Sequence, residues 1–415
     1  MELKRVVVTG LGTINALGHT VNETWENLIK GVSGAGPITS FDATKFKTHF
    51  ACEVKNYEPT NYFEKTEARK LDKFTQFAII AATEAVNDAG FDFEKINLDR
   101  SGVIWASGIG GLQTFKDEIT EYTKNDFNPK FNPFFIPKMI ADIAAGHISI
   151  KYNFRGPNYA TVSACASSSH AMIDAYNLIR LGKADIFITG GSEAAITEAG
   201  VGGFNAMRAI STRNDDPKTA SRPFDIGRDG FVMGDGGAAL ILEEYEHAIK
   251  RGAKIYCEFA GGGMTADAHH ITAPHPEGRG AAMVMKVALE DAGMKPEDID
   301  YVNLHGTSTG LGDIAEPKAV KEIFGDYAYK LSISSTKSMH GHLLGATGAL
   351  EAIASILAIR NGIVPPTINH FELDPEIDPK LDFTFNNPKK REIRSALSNT
   401  FGFGGHNASV IFKKF

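Results

Sequence analysis

Cysteine is scarce in these 415 residues: Cys52, Cys165 and Cys257 lie far apart, are odd in number and show no C-x-x-C spacing. That argues against a disulfide framework and a zinc cluster, and it predicts a reducing, cytoplasmic setting. Apolar runs are short, none approaching the roughly 20 residues of a membrane span. The opening "MELKRVVVTGLG" enters a strand pattern at once, without the layout of a signal peptide. No charge of one sign dominates: 43 Lys and Arg face 50 Asp and Glu, for a net charge of −7. Neither nucleic acid nor a membrane is therefore an expected partner. "VVVTGLGTINALG" has Gly10 and Gly12 but Asn15 where a dinucleotide fingerprint needs its third glycine, and no acidic residue ends a second strand beyond it. "RDGFVMGDGGAALILEE" has the glycines of a phosphate loop without its lysine.

What is present is a chain 43% hydrophobic and 22% charged, long enough for a large core in two domains or fused halves. Strand-like runs such as "RVVVTG", "ADIFITGG" and "NASVIFKKF" alternate with helical patterns, which predicts an α/β fold with buried sheets. Two blocks recur in the same order. A helix ending in "DAG" and followed by a strand appears as "AIIAATEAVNDAG" and as "AAMVMKVALEDAG". A strand, a small-residue turn and a helix ending in Arg-x-Gly appears around Arg180 and Gly182, and again around Arg360 and Gly362. This predicts a duplicated α/β unit, with halves 1–255 and 256–415.

The duplication suggests where chemistry gathers. Cys165, in "SACASSSHA", sits between a strand and an amphipathic helix. A helix start leaves N–H groups free and carries partial positive charge, so the thiol pKa is expected to fall. The matching turn of the second half, "KSMHGHLLGATG", carries Lys337 and His342. His305 ends a strand in "DYVNLHGTSTGLGD", over a polar floor of Thr307, Thr309 and Asp313. Lys337 needs a partner, with Asp313 and Glu316 as candidates. His269 and His270 are adjacent and diverge on a regular element, which disfavours a metal pair. Phe401 and Phe403 lie between glycines in "FGFGGHNAS", where Phe403 reads as a gate. A Cys–carboxylate hydrolase needs one His; a second suggests a further task, holding an enolate oxygen during carbon–carbon bond formation.

At these motifs, and along the full chain, the sequence resembles the β-ketoacyl-acyl carrier protein synthases of the thiolase superfamily, most of all the type II enzymes of bacterial fatty-acid synthesis. The resemblance implies a layered αβαβα fold with two pseudo-symmetric halves, decarboxylative condensation of an acyl group with malonyl-acyl carrier protein, and a homodimer. It implies that Cys165 accepts the acyl group. His305 and His342 assist malonyl decarboxylation, Lys337 orders His305, and Glu316 belongs to the same network. The N–H groups of Cys165 and Phe403 form an oxyanion hole, with Asp267 on the loop facing Phe403. Thr307 and Thr309 bind the phosphopantetheine arm that the carrier protein brings, so no organic cofactor is needed. Ile109 matches an acyl-pocket residue that moves for longer chains, with Phe401 also beside the substrate. Lys65, Arg69, Lys70 and Arg208 match basic residues presented to the carrier protein. Asn303, Glu351, Ser398 and Asn399 match a structural monovalent-cation site. Two departures stand out: Gly310 follows "HGTST" where Pro is usual, which predicts a looser loop, and "CASSSHA" is rich in Ser.

Other readings share part of this set. A polyketide or aryl-polyene ketosynthase has the same residues. A non-catalytic chain-length partner lacks the nucleophilic Cys. A thiolase proper has a second Cys near its C-terminus, and none follows Cys257 here.

Overall fold

Ten strands fall into two sets of five with one shared order. The first set is β1 (Val6–Asn15), β2 (Ser101–Ala106), β3 (Asn158–Thr161), β4 (Ile186–Glu193) and β5 (Gly236–Glu244). The second is β6 (Cys257–Ala266), β7 (Tyr301–Asn303), β8 (Ser332–Ser334), β9 (Ser395–Gly402) and β10 (His406–Lys413). In space they run β1-β5-β4-β2-β3 and β6-β10-β9-β7-β8, so each strand has a counterpart in the other set. Strand senses repeat as well. β2 is parallel to β3 and β4, and β5 is antiparallel to β4 and β1. β7 is parallel to β8 and β9, and β10 is antiparallel to β9 and β6. A short antiparallel contact, Val6 opposite Phe259, joins the sets through β1 and β6. The computed structural model describes residues 3–415.

Helices complete the layers. α1 (Lys73–Ala89) and α2 (Ile143–Tyr152) cover the outer face of the first sheet. α3 (Ser167–Arg180) lies between the sheets, α4 (Arg279–Ala292) with α5 (Gly312–Phe324) covers the second, and α6 (Thr347–Asn361) lies beside α3. The expected αβαβα layering is therefore realised. Both "DAG" helices, α1 and α4, are outer-layer helices that end on a left-handed glycine, Gly90 and Gly293. Both Arg-x-Gly helices, α3 and α6, are central. α6 is buried from Thr347 to Ile359, which is why it is largely apolar on every side, with Thr347, Glu351 and Ser355 the polar exceptions. The "GLG" of β1 serves packing. A Cβ at Gly10 or Gly12 would lie 2.2 or 2.1 Å from a carbonyl oxygen of α1.

A buried ion cluster ties β5 to α1. Arg251 donates to both oxygens of Glu243 at 2.7 and 2.8 Å, and to the Ala89 carbonyl at 2.8 Å. His247 and Thr9 complete the carboxylate's shell. Burial pushes the Glu243 carboxyl up, but Arg251 and His247 outweigh it and hold it below the usual range. No helix among the described residues is long and apolar enough to cross a membrane.

Candidate active site

The chain leaves β3, turns sharply at Ala164 (φ +51°), and starts α3 at Ser167. Cys165 occupies that elbow. The left-handed Ala164 costs on the order of 1 kcal/mol, and local bonds hold it in place. The Ser163 N–H donates to Ser167 Oγ at 2.8 Å, and Ser167 Oγ donates to the Ala164 carbonyl at 2.6 Å. Ser168 Oγ accepts from the Ala349 N–H of α6 at 3.0 Å, and Ser169 Oγ bonds Thr400 Oγ1 of β9 at 2.8 Å. The serine run thus fastens the elbow to the central layer, and it does not line the cavity in front of Cys165.

Three strand ends of the second half meet this elbow. His305 follows β7, His342 follows β8 and a short helix, Lys337–His340, and Phe403 lies in the turn between β9 and β10. His342 Nε2 is 3.0 Å from Cys165 Sγ, and its Nδ1 is 2.9 Å from Thr347 Oγ1. The ring of His305 stands 5.5 Å from that of His342, nearly perpendicular at 86°. One ligand-type atom from each of Cys165, His305 and His342 lies within 4.8 Å of the other two. A cavity of about 640 Å³ opens onto this trio and is also lined by Ile109, Thr307, Thr309 and Phe401. The Thr307 and Thr309 hydroxyls are 3.1 Å apart.

The electrostatics correct the expectation for the thiol. Burial pushes Cys165 up to about 11, and it outweighs Lys337 and the N–H groups of Phe403 and of Cys165 itself, which act to lower it. Burial, then the Lys337 charge, pulls both His305 and His342 well below the usual imidazole range. The resting site is a neutral thiol beside two neutral imidazoles. The two N–H groups that favour a charged sulfur are those assigned to the oxyanion hole by resemblance.

The partner expected for Lys337 is also corrected. Its ammonium bonds Glu351, a residue matched to the cation site, and makes no hydrogen bond to Asp313, Glu316 or His305. Both side chains are buried, and burial pushes the Glu351 carboxyl up to about 8 against the Lys337 charge and hydrogen bond, which act to lower it. Lys337 acts on His305 through its field. Asp313 instead accepts from the N–H groups of Phe224 and Ser308 and lies 3.8 Å from Arg228. Glu316 accepts from the N–H groups of His305 and Gly306, both at 2.8 Å, and so fixes the backbone that carries His305. Burial pushes its carboxyl up to about 7. In the loop that carries Gly310, Arg228 donates to the carbonyls of Thr309 and Gly310 at 3.0 and 2.8 Å.

Asp267 latches two segments over the cavity mouth. Its N–H donates to the Gly405 carbonyl at 2.9 Å, and its carboxylate accepts from Asn407 at 2.8 Å. The Gly404 N–H reaches the Ile271 carbonyl at 2.7 Å. Behind Phe403, a Cβ at Gly402 would lie 3.0 Å from the Cys165 nitrogen. Arg208 is exposed and lines the cavity; Lys65, Arg69 and Lys70 are exposed on and after a short helix and do not line it. Asn303 Oδ1 and Glu351 Oε2 are buried acceptors without a hydrogen-bond partner among the described residues, which suits a cation. Asn399 fits less well, because its Oδ1 already accepts from Ser409. Ser398 lies opposite Asn303 in the sheet.

Sequence reasoning passes over three residues of this site: Thr347 behind His342, Phe231 edge-on to His342 at 5.2 Å, and Glu193 at the end of β4. Only Glu193 carries a signal, an acid closing the otherwise uncharged strand "IFITGGSE".

The chain matches the family model for the β-ketoacyl synthase N-terminal domain over residues 3–248, and that for the C-terminal domain over 256–371. It is 50% identical over 413 residues, 99% of both chains, to 3-oxoacyl-[acyl-carrier-protein] synthase 2 of Staphylococcus aureus. It is 49% identical over 416 residues to the protein of the same name from Synechocystis, covering 100% of this chain and 99% of the relative. Among solved structures it resembles a β-ketoacyl synthase from Burkholderia phymatum, with a TM-score of 0.92 at 35% identity over 99% of this chain and 100% of that one. It also resembles a ketosynthase complex of a type II polyketide system that includes the acyl-carrier protein, with a TM-score of 0.92 at 33% identity over 100% of both chains.

Proposed function

The chain belongs to the β-ketoacyl synthase family, and on that footing we propose that it is a 3-oxoacyl-acyl carrier protein synthase of fatty-acid chain elongation. The observation that carries this reading is the meeting of Cys165 with two neutral imidazoles at a cavity 640 Å³ in size. A hydrolase has no use for the second imidazole.

Cys165 attacks the carbonyl of an acyl-carrier thioester. The new S–C bond forms as the carrier's thiol leaves, and the Cys165 proton passes through His342 Nε2, 3.0 Å away, to that leaving sulfur. The N–H groups of Cys165 and Phe403 hold the transient oxyanion. Malonyl-carrier then enters, its phosphopantetheine arm beside Thr307 and Thr309. Its carboxylate departs as CO2, and the electron pair becomes an enolate whose oxygen accepts hydrogen bonds from His305 and His342. The enolate carbon attacks the Cys165 thioester. The C–S bond breaks, and the released Cys165 thiolate takes up one proton from solvent, the proton that the condensation consumes. Lys337 and Glu316 position this apparatus without touching substrate, and Phe401 and Phe403 with Asp267 border the entry.

Acyl carrier protein is the partner, with Lys65, Arg69, Lys70 and Arg208 offered to its acidic surface. The edge strand β3 suits a homodimer that continues the sheet. No organic cofactor is required, and a monovalent cation beside Asn303 and Glu351 has a structural role. Three free cysteines suit a cytoplasmic setting.

Incubation with acyl-carrier and malonyl-carrier tests the reading. The expected product is a 3-oxoacyl-carrier two carbons longer. Free fatty acid as the sole product would replace the reading with a thioesterase.

A further inference from the structure

Glu193 ends β4 fully buried behind the cavity wall, and the proposed chemistry gives it no task. Its carboxylate is nevertheless saturated with donors. Oε1 accepts from Ser107 Oγ at 3.0 Å and from the Ile109 N–H at 3.2 Å. Oε2 accepts from the Gly108 N–H at 2.7 Å and from the Gly345 N–H at 3.1 Å. Ser107 Oγ in turn accepts from the Gly110 N–H at 3.0 Å. One side chain therefore closes the 107–110 turn, which carries Ile109, and ties it to the Leu344–Ala346 turn, just beyond His342.

The two turns touch with no room between them. A Cβ at Gly345 would lie 2.3 Å from the Gly108 nitrogen, and one at Gly108 would lie 2.8 Å from Glu193 Oε2. Ile109 itself projects into the cavity wall, 41% exposed. Burial pushes the Glu193 carboxyl up to about 7, and the N–H groups of Gly108 and Gly345 act to lower it. These bonds thus favour the ionised carboxylate, which is the stronger acceptor.

We propose that Glu193 is a positioning residue for acyl-chain length: it pins the backbone of Ile109, so a chain growing from Cys165 past Ile109 has to strain or break the bonds of one carboxylate. Short chains leave this clamp intact, and long chains work against it. The inference rests on the proposed function and on Ile109 as a wall of the acyl pocket.

The test measures acylation of Cys165 by acyl-carrier thioesters of short and long chain, using intact-protein mass and initial rates. Glu193→Gln keeps the shape but loses the charge and puts an NH2 where an oxygen accepted. It is expected to raise the long-to-short rate ratio about tenfold, the effect of weakening a charge-assisted hydrogen bond. Ser107→Ala, which removes one donor without altering the carboxyl, is expected to move the ratio the same way by less. In an Ile109→Ala background, Glu193→Gln is expected to add little, because both changes relieve the same contact. An equal loss at every chain length would overturn the proposal, as would a full effect of Glu193→Gln on top of Ile109→Ala. Failure of the unsubstituted protein to accept any acyl chain would instead remove the functional reading beneath it.

Discussion

His342 faces Cys165 Sγ with Nε2 at 3.0 Å and the Thr347 hydroxyl with Nδ1 at 2.9 Å. A hydroxyl both donates and accepts, so Thr347 supports either tautomer of the ring. With the proton on Nδ1, Nε2 accepts from the thiol. With the proton on Nε2, the ring donates to a substrate oxygen. In the proposed reaction one histidine can thereby serve acyl transfer as a base and decarboxylation as a donor.

The thiol should titrate high. Because burial holds Cys165 near 11, its alkylation by a small neutral electrophile should accelerate about tenfold per pH unit over the neutral to alkaline range, as the thiolate fraction grows. A plateau near neutrality would mean that the start of α3 and the Lys337 charge dominate over burial.

The two histidines should separate the half-reactions. His305 has no hydrogen bond to Cys165, so His305→Ala should still accept an acyl group while malonyl decarboxylation falls by about 10²–10³, the usual loss for one oxyanion donor. His342→Ala should slow both steps. Pre-acylated enzyme mixed with malonyl-carrier, followed by CO2 release, measures the difference.

Gly402→Ala should damage catalysis more than folding. The added methyl would crowd the Cys165 nitrogen from 3.0 Å and the Ser163 carbonyl from 2.9 Å, displacing the turn that carries Phe403. Acylation should fall by at least about tenfold if one oxyanion bond is lengthened, while the thermal midpoint changes little.

Acid stability should depend on Glu243. Its folded pKa lies below the unfolded one, so its contribution is complete above the unfolded carboxylate range and is lost as pH falls through the folded pKa. Arg251→Ala leaves the buried carboxylate short of its main partner and should cost about 3 kcal/mol at neutral pH. It should also move the onset of acid unfolding to higher pH. Thermal melts across the acid range measure both.

The duplication is legible in the sequence because a helix cap and a buried helix leave local marks. "DAG" ends both outer helices on a left-handed glycine, and the long apolar run of α6 has no polar face because both sheets cover it. Cys165, His305 and His342 stand out because each follows a strand and sits among small residues. The partner of Lys337 is not legible: Glu351 is fourteen positions away on a helix whose orientation only the packed sheets decide. The direction of the thiol shift is hidden for a similar reason. A helix start is visible in the sequence, but the burial that outweighs it depends on residues far along the chain, such as His342 against the sulfur. Glu193 shows in the sequence only as an acid closing an uncharged strand; the backbone N–H groups that it gathers from two distant turns leave no mark there.

In the proposed reaction Cys165 carries the acyl group, and His305 with His342 turns acyl transfer into condensation. Intact-protein mass after rapid mixing with acyl-carrier, then with malonyl-carrier, tests it directly, with Cys165→Ala alongside. The expected result is an acyl adduct on the unsubstituted protein, discharged by malonyl-carrier as a 3-oxoacyl-carrier, and no adduct on Cys165→Ala. An adduct that persists on Cys165→Ala, or one that malonyl-carrier fails to discharge, would contradict it.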